Sequence, residues 1–221
     1  MTLRKCMLFG ASALLVAGQA AAQSGIPISK DRVTSTTTVT SPGDVTQPVA
    51  SSLTVTEVNL PVFDINAYNN MSEQNILAFM FGGDSAEVEM GRLAQTKGSD
   101  QRVRDYGTML VNDHSAHLAT LQKIDAEEDL DPVPMSNNVE GARMRGMLVW
   151  LANTPAGASW DAAFLRFQAA HHQNAIDIVN RNIKNAHDDD FEEVIEATLN
   201  SFANHRDRAR TIATELGVSL P

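Results

Sequence analysis

Glu87, His114, His172 and His205 are the residues through which this sequence could do chemistry. One carboxylate and three imidazoles make a nitrogen and oxygen donor set that suits zinc, iron, nickel, copper or manganese. Each of the four falls on the apolar side of a different stretch of helical period. A bundle of those helices would aim all four at one axis. Burial sharpens the point. An unpaired carboxylate in an apolar core costs several kcal/mol or takes up a proton, and a neutral imidazole needs a partner on each nitrogen. One divalent transition-metal cofactor would satisfy all four groups. The alternative is a polar core in which Glu87 pairs with one histidine and the others bond backbone or water.

Heights along such a bundle follow from the helical rise. With Asp188 as the turn, His172 lies 16 residues before it and His205 lies 17 after it. At about 1.5 Å per residue, antiparallel neighbours would place both imidazoles at one level. Around Gly98, Glu87 is 11 residues back and His114 is 16 forward, a mismatch of about 7 Å. Asp84, one turn earlier on the same face, matches His114 better and is a secondary ligand candidate. His117, three residues beyond His114, is another. His171 points to a different face beside Phe164 and Phe167 and is read as packing. His187 reads as solvated, Asp161 as a helix cap and Glu89 as surface. The methionines after the first 22 residues fall at helical spacing and read as core filling rather than a soft copper site. No phosphate-binding glycine loop, nucleophile elbow or zinc-protease motif occurs, so no catalytic residue is assigned.

The elements that must position these groups follow from periodicity and breakers. Ser72 opens a helix carrying Ile76, Leu77, Met80, Glu87, Met90 and Ala94, ending near Gly98. Ser99 can cap a second, with Val103, Tyr106, Leu110, His114, His117 and Leu121. Asp129 to Pro134 breaks it, and a shorter helix runs from about Val139 to Leu151. After Thr154-Pro-Ala-Gly157 a long helix carries Leu165, Gln168, His172, Ile176, Val179 and Ile183. The last holds Phe191, Ile195, Leu199, Phe202, His205, Ile212 and Leu216, with Gly217 ending it. The expected fold is all-α: a four-helix bundle with one additional short helix over residues 71–219.

Upstream, the first 22 residues read as a secretory signal: Arg4 and Lys5, an apolar stretch from Met7 to Ala17, and a small-residue cleavage site at Ala20-Ala21-Ala22. That stretch is too short to span a bilayer, which takes about 20 apolar residues. The expected location is therefore periplasmic or secreted, with no membrane span in the mature chain. Residues 23–70, rich in Thr, Ser, Val and Pro, read as a disordered linker. Cys6 is the single cysteine, so the mature chain would have neither disulfides nor thiolate ligands. The chain carries 17 basic and 27 acidic residues, a net charge of −10. Removing the signal leaves 15 against 27, or −12. Such a balance speaks against nucleic acid as a partner. It identifies no protein partner.

The runs GGDSAEVEMGRLA, VRDYGTMLVNDHSAHLATL, WDAAFLRFQAAHHQNAI and LNSFANHRDRA resemble, in order, the exported bacterial family called domain of unknown function 4142. The resemblance covers about Asn75 to Leu216 and implies a ferritin-like helical bundle. By its pattern Glu87 matches the acid of a Glu-Val segment and His114 the histidine of Asp-His-Ser. His172 and His205 match the histidines of the last two long helices. Trp160, Phe164 and Asn200 depart from the usual residues, as packing changes. Di-iron bundles use Glu-x-x-His pairs, yet Val111, Ala169 and Phe202 stand three residues before the histidines. The expected function is binding of a single metal ion, for sequestration or stress tolerance. The alternative is a non-catalytic envelope interaction or structural module.

Overall fold

A computed structural model describes residues 60–187 and 189–220. The signal and linker assigned to residues 1–59, with Cys6, lie outside them. Among the described residues the chain is all-helical, with five α-helices: α1 (Glu73–Lys97), α2 (Gln101–Glu128), α3 (Val139–Asn153), α4 (Ala158–Asn182) and α5 (Asp189–Glu215). Two short 3-10 turns accompany them, Ile65–Tyr68 before α1 and Ile183–Asn185 between α4 and α5. Packed structure reaches upstream of Met71, because Tyr68 is fully buried and Asn182 donates to its carbonyl at 2.7 Å.

The helix starts follow from their capping side chains. Ser72 accepts from the Asn75 amide at 3.2 Å, and Asn138 accepts from the Gly141 amide at 2.8 Å. At α2 the cap is Asp100, accepting from the Arg102 amide, one residue later than the expected Ser99. Ser99 is engaged elsewhere. Its amide and the Asp100 amide each donate to Asp161 at 2.9 Å, so a carboxylate near the start of α4 closes the start of α2. Three acids in the first turn of α5 complement its N-terminal partial charge. Gly217, at φ 69°, ends that helix, with the Val218 amide reaching back to the Ala213 carbonyl at 2.8 Å.

The helices associate as two pairs, α1 with α2 and α4 with α5. α2 also packs on α5, and α3 lies against α1 and α4. The first pair is drawn together at Gly91 and Gly107. A Cβ on Gly107 would stand 2.7 Å from the Gly91 carbonyl and 2.7 Å from the Ala94 Cβ. Backbone cannot yield there as a side chain would. For Gly107→Ala, overpacking of about 1–3 kcal/mol opposes a helix-propensity gain of at most about 1 kcal/mol. The expected net is a loss of up to about 2 kcal/mol, read from urea denaturation. A raised midpoint would mean that the helices separate freely.

Along the bundle the core comes in layers. One apolar cluster holds Met90, Val103, Tyr106, Leu110, Phe164 and Ile212. Another holds Tyr68, Leu77, Met80, Leu121, Ile178 and Phe191. On each of the four long helices a polar segment separates residues of the two clusters: Asp84 and Glu87, then His114 and His117, then Gln168, His171 and His172, and finally His205.

Candidate metal centre

Each helix delivers its polar side chains inward because they occupy the same stripe as the apolar residues above and below them. Asp84, Glu87, His114, His171, His172 and His205 are all at most 4% exposed, so the hydrogen bonds of every ring nitrogen must be accounted for.

His172 Nδ1 lies 2.9 Å from the Gln168 carbonyl one turn back. A carbonyl only accepts, so Nδ1 carries the proton and Nε2 presents a lone pair. His205 Nε2 lies 2.9 Å from Asp113 Oδ2, which assigns its proton to Nε2 and a lone pair to Nδ1. Those two lone pairs face each other at 3.2 Å. His114 Nδ1 lies 2.8 Å from Asp84 Oδ1, and its Nε2 is buried with no hydrogen-bond partner. One nitrogen from each of His114, His172 and His205 falls within 4.8 Å of the others. Two imidazole nitrogens on one ion, at bonds of about 2.1 Å, stand at most about 4.2 Å apart. Small inward shifts would close the difference, so the three rings could hold a metal ion. The expected agreement in height of His172 and His205 is seen directly.

Glu87 lies outside that group of three. Its Oε2 accepts from Gln168 Nε2 at 2.8 Å, and its Oε1 faces His171 Nε2 at 3.5 Å. Asp84 takes the position beside His114, as the rise of the two helices favours. Its second oxygen lies 2.7 Å from His117 Nδ1. His117 is half-buried and meets Thr198 Oγ1 at 2.5 Å through Nε2. Glu89 is exposed and paired with Arg92, and His187 is exposed. Asp161 lies in the first turn of α4 and accepts from the Ser99 and Asp100 amides ahead of α2, a structural role as expected, though not the cap of its own helix.

Three participants had no assigned role in the sequence: Asp113, Gln168 and Glu140. Asp113 adjoins His114, but its role requires the side chain to cross to α5. His171, read as packing, does stack on Phe167 with ring centroids 5.6 Å apart. It also bonds Glu140 Oε1 through Nδ1 at 2.8 Å. The available signal was Glu140 itself, an acid in the first turn of the short helix with Arg143 three residues on.

Burial first, then the nearby His171, His205 and His114, push His172 well below the usual imidazole range. Burial and His114 bring His205 down to about 4, with Asp113 opposing them. His171 is pulled down by burial, but its hydrogen bond to Glu140 and the charges of Glu87 and Glu140 outweigh that and raise it. Burial pushes the Asp84 carboxyl up, and His114 and His117 together bring it below the ordinary value.

These shifts set a pH dependence. Unfolded imidazoles take up protons at about 6.5, whereas folded His205 does so at about 4 and folded His172 well below the ordinary range. Between those values the unfolded chain binds more protons, so stability rises with pH there. It is complete above about 6.5 and lost as pH falls towards 4. His171 runs the other way: its contribution is whole below about 6.5 and lost as pH rises through its folded value. Ion-free protein is expected to melt at a lower temperature at pH 5 than at pH 7, with His205→Gln flattening that slope in a calorimetric series. An equal slope in the variant would remove His205 as its source.

No curated protein and no solved structure matches the chain. A family model does match, over residues 64–212, a span that contains the whole polar layer and the histidines at its centre. The chain belongs to the family described as a domain of unknown function (DUF4142).

Proposed function

We propose that this domain binds one divalent transition-metal ion through His114, His172 and His205. The observation that carries the reading is the pair of nitrogens 3.2 Å apart on His172 and His205, both left as lone pairs by their outer hydrogen bonds. A cation between them turns a repulsion into coordination. The outer bonds support the same reading. Each ring is held from its far nitrogen by Asp84, the Gln168 carbonyl or Asp113, the arrangement that orients metal-bound imidazoles and raises their basicity. Glu87 stands behind Gln168 as a nearby negative charge. In an exported protein, as the N-terminal residues suggest, such a site would serve metal sequestration or stress tolerance.

The test is calorimetric titration of tag-free, chelator-stripped protein with zinc, cobalt, copper, nickel and manganese. One ion per chain is expected for at least one of them. Asp84→Asn is expected to weaken that binding by about 10–100-fold through loss of the outer hydrogen bond to His114. No uptake of any of these ions would end the proposal.

One observation favours a second reading, a non-catalytic interaction or structural module. Glu140 gathers Arg143, His171 and Asn174 around one buried carboxylate with no metal ion among them. On that reading the protein melts identically in chelator and in metal.

A further inference from the structure

Three imidazoles leave a metal ion short of donors. Among the described residues no further histidine or carboxylate atom joins the group. Asp84 and Asp113 are engaged with the outer nitrogens of His114 and His205, and Glu87 is held by Gln168. Structural zinc sites close with four protein ligands, whereas three-ligand sites keep a position open to water or substrate. Three donors therefore assign this centre to the open class.

The space that an outside ligand needs lies beside it. A cavity of about 150 Å³ between α2 and α5 is lined by Asp113, His114, His117, Thr198, Ser201 and Phe202, among others. His114 thus belongs both to the histidine group and to the cavity wall. Asp113, Thr120 and Ala197, which also line the cavity, are exposed, so it communicates with solvent. At about 30 Å³ per liquid water, it holds roughly five waters, enough for a ligand of a few heavy atoms and too small for a nucleotide or sugar phosphate.

Charge narrows the class further. Three neutral imidazoles leave a divalent ion its full charge. The buried carboxylate nearest His114, Asp84, already lies against both His114 and His117. We infer that the open coordination position is reached through the α2–α5 cavity and takes a small anion of a few atoms in place of water or hydroxide. This rests on the metal-centre reading above and adds to it the ligand class and the route.

The test uses cobalt(II) as a spectroscopic ion in the chelator-stripped full chain, with azide as the anion. Cobalt uptake is expected to give a visible spectrum that changes saturably with azide. The double variant Thr120→Phe/Ala197→Phe narrows the rim from both helices at exposed positions. It is expected to bind cobalt as the native protein does and azide at least about ten-fold more weakly. A cobalt spectrum indifferent to azide overturns the inference while leaving the metal centre standing. Native azide affinity in the double variant overturns the cavity as the route. Absence of uptake of cobalt and of every other ion titrated above overturns the metal centre itself, and this inference with it.

Discussion

Glu140→Ala is expected to cost about 3–5 kcal/mol of folding stability, the range for removing one partner from a buried charged network. Glu140 is fully buried and holds three groups. His171 Nδ1 lies 2.8 Å from Oε1, Arg143 Nε lies 3.0 Å from Oε2, and Asn174 donates to Oε2 at 3.3 Å. Deleting the carboxylate leaves a guanidinium and an imidazole side by side in a dry environment. Glu87 alone would then face His171, at 3.5 Å. His171 would also lose the main interaction that raises its affinity for protons. The stability lost on the alkaline side of the native pH profile should therefore disappear with the variant. Chemical denaturation at pH 6 and pH 8 reads both effects. A cost under about 1 kcal/mol would show that water reaches this cluster and screens it.

His172→Ala is expected to remove metal binding altogether at micromolar ion. Losing an outer hydrogen bond to a ligand costs about 10–100-fold in affinity, and losing a ligand from a set of three must exceed that. The thermal readout is large. An ion at 1,000 times its dissociation constant stabilises the folded state by about 4 kcal/mol, which for a domain of this size shifts melting by about 8–16 °C. Native protein should show that shift on metal addition and reverse it with chelator, while His172→Ala shows neither. His187→Ala, at an exposed position, controls for loss of a histidine as such. A shift that survives in His172→Ala would place the ion elsewhere.

The helices were legible in the sequence because periodicity and breakers agreed, as at Ser72 for α1 and Gly217 after α5. Facing positions were legible wherever a turn could be placed. The count from Asp188 set His172 and His205 level, and they meet. The count from Gly98 gave Asp84 the better height match to His114, yet Glu87 was kept as the primary donor; the hydrogen bond is to Asp84. Glu87, His171 and Glu140 were opaque for a different reason. Their pairing depends on where α3 lies against α1 and α4, and a short helix behind two loops has no rise to count from. Ser99 was misjudged because Asp161, sixty-two residues away in sequence, engages its amide and hydroxyl and leaves the cap to Asp100.

The polar stratum between the two apolar clusters also fixes alignment. Helices that meet through uniform leucine and phenylalanine surfaces can slip by a turn at little cost. Here a one-turn slip of α4 along α5 would set His172 opposite Phe202 or Ala209, and strand His205 without its neighbour. Each such slip buries unpaired imidazole or carboxylate, so the central layer works as a key that admits one vertical setting of the four rods.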